Sequence, residues 1–331
     1  MPRSPGGGRA ARYAALLTVW ALPAYAQPAP LHESARSDRA PDTVAACAAT
    51  DRWCVRDDGG QIVRLPHAAH RVVSLAPHIT ELVYAAGGGS ALVGVVNYSD
   101  YPAAARTLPS VGSYMSADVE RIAALHPDLV LAWGQGRPQP QWAALAALGI
   151  PVYIDAPARV DNIGASLRRL GVLFGTSPQA DREATRLDTG FAALRAEYAE
   201  RPRVAVFYQV WSHPLMTLSG RQITSDVIAL CGGRNVFADL PGLAPTISTE
   251  AVIAAAPQAI VTPALGATHR ADASAMANAN SWKAWPSLPA VAAGNLFSID
   301  GDLISRPGPR LLEGARLLCD DLDQARRRLA Q

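Results

Sequence analysis

The segment SPQADREATRLDTGFAALRAEYAE, residues 177–200, decides how this chain is organised. Ser177 is an N-cap residue type, and Pro178 suits the first helical position, where an amide N–H is not needed. Ala180, Ala184, Leu187, Phe191, Leu194 and Tyr198 follow alternately four and three apart. Residues at that spacing share one face of an α-helix, so they form a continuous apolar stripe. At ~1.5 Å per residue the helix is roughly 35 Å long, about the width of a small domain. Pro202 ends it, and the apolar run 204–208 starts a strand at once. The segment predicts a stiff spine at a boundary between two halves.

On the N-terminal side, short apolar strands alternate with helices. Strands are expected at 72–75, 92–96, 129–133 and 151–154, and helices at 80–86, 119–125 and 142–148. Gly87-Gly88-Gly89, His126-Pro127 and Gly149 stop the three helices. Such alternation implies a parallel sheet covered on both faces. The C-terminal side repeats the plan. Glu120 lies seven residues before Pro127, and Glu250 seven before Pro257; in each case the proline breaks a helix and opens a strand. Thr80-Glu81-Leu82-Val83 before Gly87-Gly88 is matched by Ser225-Asp226-Val227-Ile228 before Gly232-Gly233. Two matches in the same order indicate a duplicated architecture. The fold class that follows is α/β: two Rossmann-like lobes with central parallel sheets, 71–176 and 202–331, joined by one long rigid helix at 177–201.

The N-terminus carries an export pattern. Arg3, Arg9 and Arg12 precede the apolar stretch 14–26, which is too short to span a bilayer, and Ala24-Tyr25-Ala26 is a cleavage signature. Residues 1–26 are therefore read as a signal peptide. Residues 27–70 form an extension: a Pro-, Ala- and Ser-rich linker to about 45, then a hairpin signalled by Asp58-Gly59-Gly60. Four cysteines in an exported chain favour disulfides, and the expected pairs are Cys47–Cys54 and Cys231–Cys319. A zinc site is the rival, but neither a C-x-x-C nor a His pair supports it. Apolar residues make up 49% and charged residues 18%, which suits a folded core rather than disorder. Lys+Arg number 30 against 28 Asp+Glu, so there is no basic footprint for nucleic acid.

The vocabulary of catalysis is largely missing. There is no G-x-G-x-x-G after a strand, no P-loop, no H-E-x-x-H and no G-x-S-x-G. The seven His include no i, i+4 pair, and no metal-ligating cluster is visible. Aromatic residues, by contrast, stand where strands end. Tyr98 and Tyr101 lie in YSDYP (98–102), Tyr114 follows Gly112-Ser113, Trp133 closes its strand, and Trp211 follows the strand at 204–208. Open α/β sheets bind ligands beyond the carboxyl ends of their strands, so both lobes would present ring faces to one cleft. Several such faces suit a large, flat, partly apolar ligand. The rival reading makes each ring a core residue or loop plug.

These stretches resemble the helical-backbone class of periplasmic receptors that serve importers of vitamin B12, haem and iron–siderophores. The resemblance runs from about Arg71 to Leu329 and rests on RVVSLAPHITEL (71–82), YSDYP, ERIAALHPDLVLAW (120–133), the 178–200 helix, ALCGGRNVF (229–237), EAVIAAAPQAIV (250–261) and RPGPRLLEGARLLC (306–319). YSDYP and PDLVLAW are more specific to its cobalamin-binding members. The resemblance implies a corrinoid held between aromatic walls, with Tyr98, Tyr114, Trp133 and Trp211 as ligand contacts and little hinge closure. Arg306 aligns with a basic ligand contact, its rival role being a salt bridge within the second lobe. His78 and His213 lie near the strand-end loops, and His78 counts as a candidate contact. Leu303 departs from the pattern, because an aromatic is usual there; this leaves haem or a ferric siderophore open as the ligand. The resemblance also implies that Glu120 and Glu250, one on each lobe, dock with arginines of an ABC permease dimer. Their rival role is to complement helix dipoles. The expected protein is a periplasmic monomer with no resident cofactor, no resident metal and no enzymatic activity. An exported α/β enzyme is the reading from a different class.

Overall fold

The computed structural model describes residues 47–48, 51–113, 115–134, 140–264 and 278–331. The signal segment, the linker to residue 45 and Tyr114 lie outside the described residues.

The first sheet has four parallel strands in the order Leu92–Val95, Val72–Ser74, Leu129–Trp133, Val152–Asp155. The second is built the same way: Gly233–Asn235, Val204–Trp211, Ala259–Ala264 and Leu296–Asp300 are successive parallel neighbours. Met216–Thr217 adds a short antiparallel partner to the distal end of Val204–Trp211. In chain order the two lobes therefore share one strand plan, as the repeat in the sequence implies. Backbone angles repeat as well. His126 and Ala256, each immediately before the proline that opens the third strand, have φ of 46° and 43°. A residue before proline is kept out of the right-handed helical region, so both helices end there by the same local device.

Several boundaries differ from expectation for local reasons. The first helix is Pro77–Ala85, three residues earlier than its apolar pattern, because Pro77 serves as its opening residue. The strand expected to stop at Tyr208 continues to Trp211 through its pairing with Met216. Thr176, not Ser177, stands at the N-cap of the spine, and its hydroxyl donates to the Ala86 carbonyl at 2.6 Å instead of capping.

The spine helix is Ser177–Tyr198, and its buried residues are the six of the predicted stripe. It packs antiparallel to Asp161–Phe174, a helix the sequence reading passed over, and against the C-terminal helix Leu311–Leu329. Glycines set both approaches. A side chain at Gly171 would collide with Ala180, and one at Gly190 with Leu312. One apolar core consequently runs through both lobes and the spine, from Val72 and Leu167 through Leu187 and Phe191 to Val206 and Leu318. Each fully buried Leu or Phe in it contributes about 1.5–3 kcal/mol. Both disulfides form: Cys231–Cys319 ties the helix Ile223–Leu230 to the C-terminal helix, and Cys47–Cys54 anchors the start of the hairpin.

The hairpin Cys54–Arg56/Ile62–Arg64 covers the exposed edge of the first sheet. Ile154 N–H donates to Asp57 Oδ2 at 3.0 Å, Asp58 N–H donates to the Ile154 carbonyl at 3.0 Å, and Ala156 N–H donates to Asp58 Oδ2 at 2.7 Å. The turn residues thus satisfy backbone groups that an edge strand would otherwise leave open.

Two acid–arginine contacts cross between the lobes, and they are related by the internal repeat. Glu81, on the first helix of the N-terminal lobe, is buried; it accepts from Arg306 Nη1 at 3.0 Å, Arg310 Nε at 3.0 Å and Arg310 Nη2 at 2.7 Å. Asp226, on the first helix of the C-terminal lobe, accepts from Val160 N–H at 2.9 Å and pairs with Arg159 at 3.1 Å. Each acid meets the segment that follows the last strand of the opposite lobe. The two acids are those aligned in the sequence repeat.

Breaking a buried ion pair by removing one partner costs about 3–5 kcal/mol, because the remaining charge stays buried. Glu81→Gln should therefore lower stability by about 3 kcal/mol, a fall in Tm of roughly 5 °C for a protein of this size. Asp226→Asn, whose arginine is exposed, should cost much less. Calorimetry on the two variants checks the order; an equal or reversed order would remove Glu81 from its role.

Candidate functional site

The N-terminal lobe presents Tyr98 at the carboxyl end of its sheet, with the residue 57% exposed and φ at 67°. A tyrosine in the left-handed region is strained and persists only where its surroundings hold it. Here they do. Ser99 is buried and accepts from Thr80 Oγ1 at 3.2 Å, Asn97 N–H donates to the Gly112 carbonyl at 2.8 Å, and Arg306 Nη2 donates to the Tyr98 carbonyl at 3.2 Å. Arg306 also meets Asp100 at 3.3 Å and Asp302 at 2.8 Å. Tyr101 lies under the Arg310 guanidinium, 4.2 Å from the ring centroid.

The expected salt bridge of Arg306 within its own lobe is only part of what is found. The guanidinium ties Asp302 of its own loop to Glu81, Asp100 and the Tyr98 backbone of the other lobe. The distant acids were invisible in one dimension, because the contacts span more than 200 positions of chain. Glu81 was passed over as a functional residue; its one sequence signal was alignment with Asp226 in the repeat.

His78 and Trp133 form the floor beside this loop. Trp133 ends its strand and is half-buried, and its ring meets the His78 imidazole edge-to-face at 5.3 Å between centroids. His78 is a helix-start residue, the rival to its reading as a contact in a strand-end loop. It lies in the first turn of Pro77–Ala85, 3% exposed, and its Nε2 has no hydrogen-bond partner among the described residues. Tyr98, His78, Trp133 and Arg306 thus belong to one connected group. Trp211 ends Val204–Trp211, the counterpart of Val72–Ser74 in the other sheet; it is half-buried, its indole N–H donating to the His213 carbonyl at 3.1 Å. Leu303 sits half-buried in the short helix Gly301–Ile304, just before the Arg306 loop. A separate pocket of about 780 Å³ lies between the first helix, the spine and the C-terminal helix. Its lining combines charged residues, among them Glu81, Glu183, Arg186 and Arg316, with the rings of Tyr84 and Tyr101.

Residues 72–303 match the model of the periplasmic binding protein family. This chain belongs to that family. Periplasmic binding proteins similar to it include the vitamin B12-binding protein of Yersinia pestis, 39% identical over 262 residues that cover 79% of this chain and 89% of the relative. The vitamin B12-binding protein of Vibrio parahaemolyticus is 34% identical over 259 residues, covering 78% and 91%. Among solved structures, the periplasmic vitamin B12 binding protein of Vibrio cholerae superposes with a TM-score of 0.71 at 34% identity, covering 78% of this chain and 99% of its own. The family implies a periplasmic setting, and no helix among the described residues is long and apolar enough to cross a membrane.

In this periplasmic binding protein, Glu120 and Glu250 occupy equivalent positions. Each is exposed, two residues past the N-cap of a helix. Asp118 caps one by accepting from Arg121 N–H at 3.0 Å, and Ser248 caps the other by accepting from Ala251 N–H at 3.2 Å. Both glutamates are thus exposed in a helix's first turn, where a carboxylate also complements the helix dipole. The Glu250 carboxyl is held below its ordinary value by its own backbone N–H and the Ser248 hydroxyl.

Two buried groups near the site titrate in opposite senses. Burial, reinforced by the nearby Arg306 charge, pulls the His78 imidazole from 6.5 down to about 3. The unfolded chain therefore takes up a proton below pH ~6.5 that the folded chain refuses. The corresponding stability is whole above that pH and is lost as pH falls toward 3. Asp155, the strand partner of Trp133, is pushed from 3.8 up to about 7 by burial and then by the Asp58 charge, with Arg169 opposing. It holds a proton in the folded state between pH ~7 and ~4, so acidification strengthens the fold through this group. The two effects partly cancel. Asp155→Asn should make Tm fall more steeply between pH 7 and 4.5 than in the unaltered protein, and His78→Leu should flatten it. Parallel profiles for all three proteins would show that neither group contributes.

Proposed function

We propose that this periplasmic binding protein captures vitamin B12 or a related corrinoid and delivers it to an inner-membrane ABC importer. The observation that carries the reading is the exposed Tyr98 ring, held in a strained backbone at the strand ends beside the His78–Trp133 pair. A corrin is broad and flat, with an apolar face and an amide-bearing rim. Rigid aromatic faces bury such a face at small entropic cost. The named function of the relatives at 34–39% identity, matched over about nine-tenths of their length, supports the same ligand.

Under this reading Tyr98, Trp133, Tyr114 and Trp211 contact the corrinoid. Arg306, engaged by three carboxylates and a carbonyl, sets the position of the Tyr98 loop rather than gripping ligand. His78 stays neutral and offers its enclosed Nε2 to a ligand amide once the Trp133 ring shifts. The protein acts as a monomer, without catalysis, after export directed by residues 1–26. Glu120 and Glu250 dock on arginines of the permease dimer, where such rim charges chiefly steer and orient the encounter.

Titration of tryptophan fluorescence with cyanocobalamin, corrected for inner-filter absorption, should show saturable quenching at one ligand per chain. Trp133→Ala should weaken binding by roughly 10- to 100-fold, as expected for losing about 1.5–3 kcal/mol of buried ring contact. Absence of quenching together with a Soret shift on adding haem would replace the corrinoid with haem.

Charge reversal at both docking positions, Glu120→Arg with Glu250→Arg, should abolish corrinoid uptake in cells while leaving the affinity of the purified protein intact. Undiminished uptake would refute the docking role.

A further inference from the structure

At the opposite end of the N-terminal sheet from the aromatic group, His67, His70 and Asp128 come together. They offer one ligating atom each, all within 4.8 Å of one another. His70 lies just before the first strand, Val72–Ser74, and Asp128 just before Leu129–Trp133, its parallel neighbour. The two histidines are three apart in the chain, and the acid comes from 58 residues downstream of the second. The two imidazole rings lie 4.6 Å apart between centroids, tilted by 51°. We propose that these three residues form a binding site for a borderline transition-metal dication of the Zn²⁺, Ni²⁺ or Cu²⁺ class.

Three features carry the inference. First, the Nδ1 atoms of both rings approach the same carbonyl, that of Ala68, at 3.1 Å for His67 and 3.2 Å for His70. The two Nδ1 atoms thus converge on one point, and with the ring proton carried on Nε2 each can offer its Nδ1 lone pair to an ion. Second, Asp128 is fixed before any ion arrives. Its carboxylate accepts from His70 N–H at 3.0 Å and from Arg71 N–H at 3.1 Å, and it stands 3.0 Å from His70 Nδ1. That places a carboxylate oxygen beside the same Nδ1 edge, where it completes the set of three ligating atoms. Third, both histidines are exposed, so the rings can close on an ion without disturbing the core. The segment between them is anchored, with Ala69 buried and its N–H donating to the Leu173 carbonyl at 2.8 Å.

The donor set decides the class of ion. Imidazole nitrogens suit Zn²⁺, Ni²⁺ and Cu²⁺, whereas Ca²⁺ and Mg²⁺ require mostly oxygen. An ion bound here would pin the crossing between the hairpin and the first strand, far from the corrinoid contacts. The site neither depends on the proposed ligand nor should affect its binding.

The test uses the untagged, disulfide-intact mature chain without corrinoid, titrated calorimetrically with ZnCl₂ in the presence of millimolar Ca²⁺. One Zn²⁺ should bind per chain and raise Tm. His67→Ala and His70→Ala should each weaken binding at least 10-fold, and the double variant should lose both the heat and the Tm rise. Asp128→Asn should weaken binding about 10- to 100-fold. Cyanocobalamin affinity should be the same with and without the substitutions. Stoichiometric Zn²⁺ binding by the double variant, suppression of binding by Ca²⁺, or no heat and no Tm change in the unaltered protein would each overturn the proposal.

Discussion

A buried carboxylate shared by two arginines is the constraint from which the rest of this structure follows. Taking Glu81 out of water costs several kcal/mol unless donors surround it, and the donors come from the other lobe: Arg306 and Arg310. The lobes cannot part here without leaving a carboxylate or a guanidinium buried and unmatched. The repeat provides a second, lighter contact through Asp226, Arg159 and the Val160 amide. With the spine on one side and these two crossings between the lobes, the gap between the sheets is set by charge pairing as much as by helix stiffness.

The same network reaches the loop that carries Tyr98. Arg306 holds the Tyr98 carbonyl and Asp100, so the exposed tyrosine is positioned from across the cleft. Its left-handed backbone is a local cost met by fixed neighbours on both sides. Beneath it, the neutral His78 and Trp133 form an apolar floor in which a charged imidazole would be unfavourable.

The repeat also explains why two glutamates face outward at equivalent places. In each lobe the N-cap residue accepts from the third amide of the helix, and the glutamate two positions later stands exposed in the first turn. Asp118 and Ser248 differ chemically but accept from the same backbone position. Duplication thus supplies a pair of matched surface charges, one per lobe.

Much of this could be read without coordinates. The spine and its six buried residues follow from a four-three spacing, because helical periodicity is local. The parallel sheets, the repeat and the strand-end aromatics follow from short-range pattern and from the positions of Gly and Pro. The export signal and the cysteine pairing rest on composition and count, and the model bears out both disulfides. The helix Asp161–Phe174 was missed although its apolar period is clear, since attention fell on the longer helix after it. What only the tertiary structure decided are the contacts between residues far apart in the chain: Glu81 with Arg306, Asp57 and Asp58 with the edge strand, and His70 with Asp128. Sequence determines which groups exist and on which face of an element they lie. Which charge meets which depends on how two sheets and a spine pack in three dimensions, and no spacing rule along the chain encodes that.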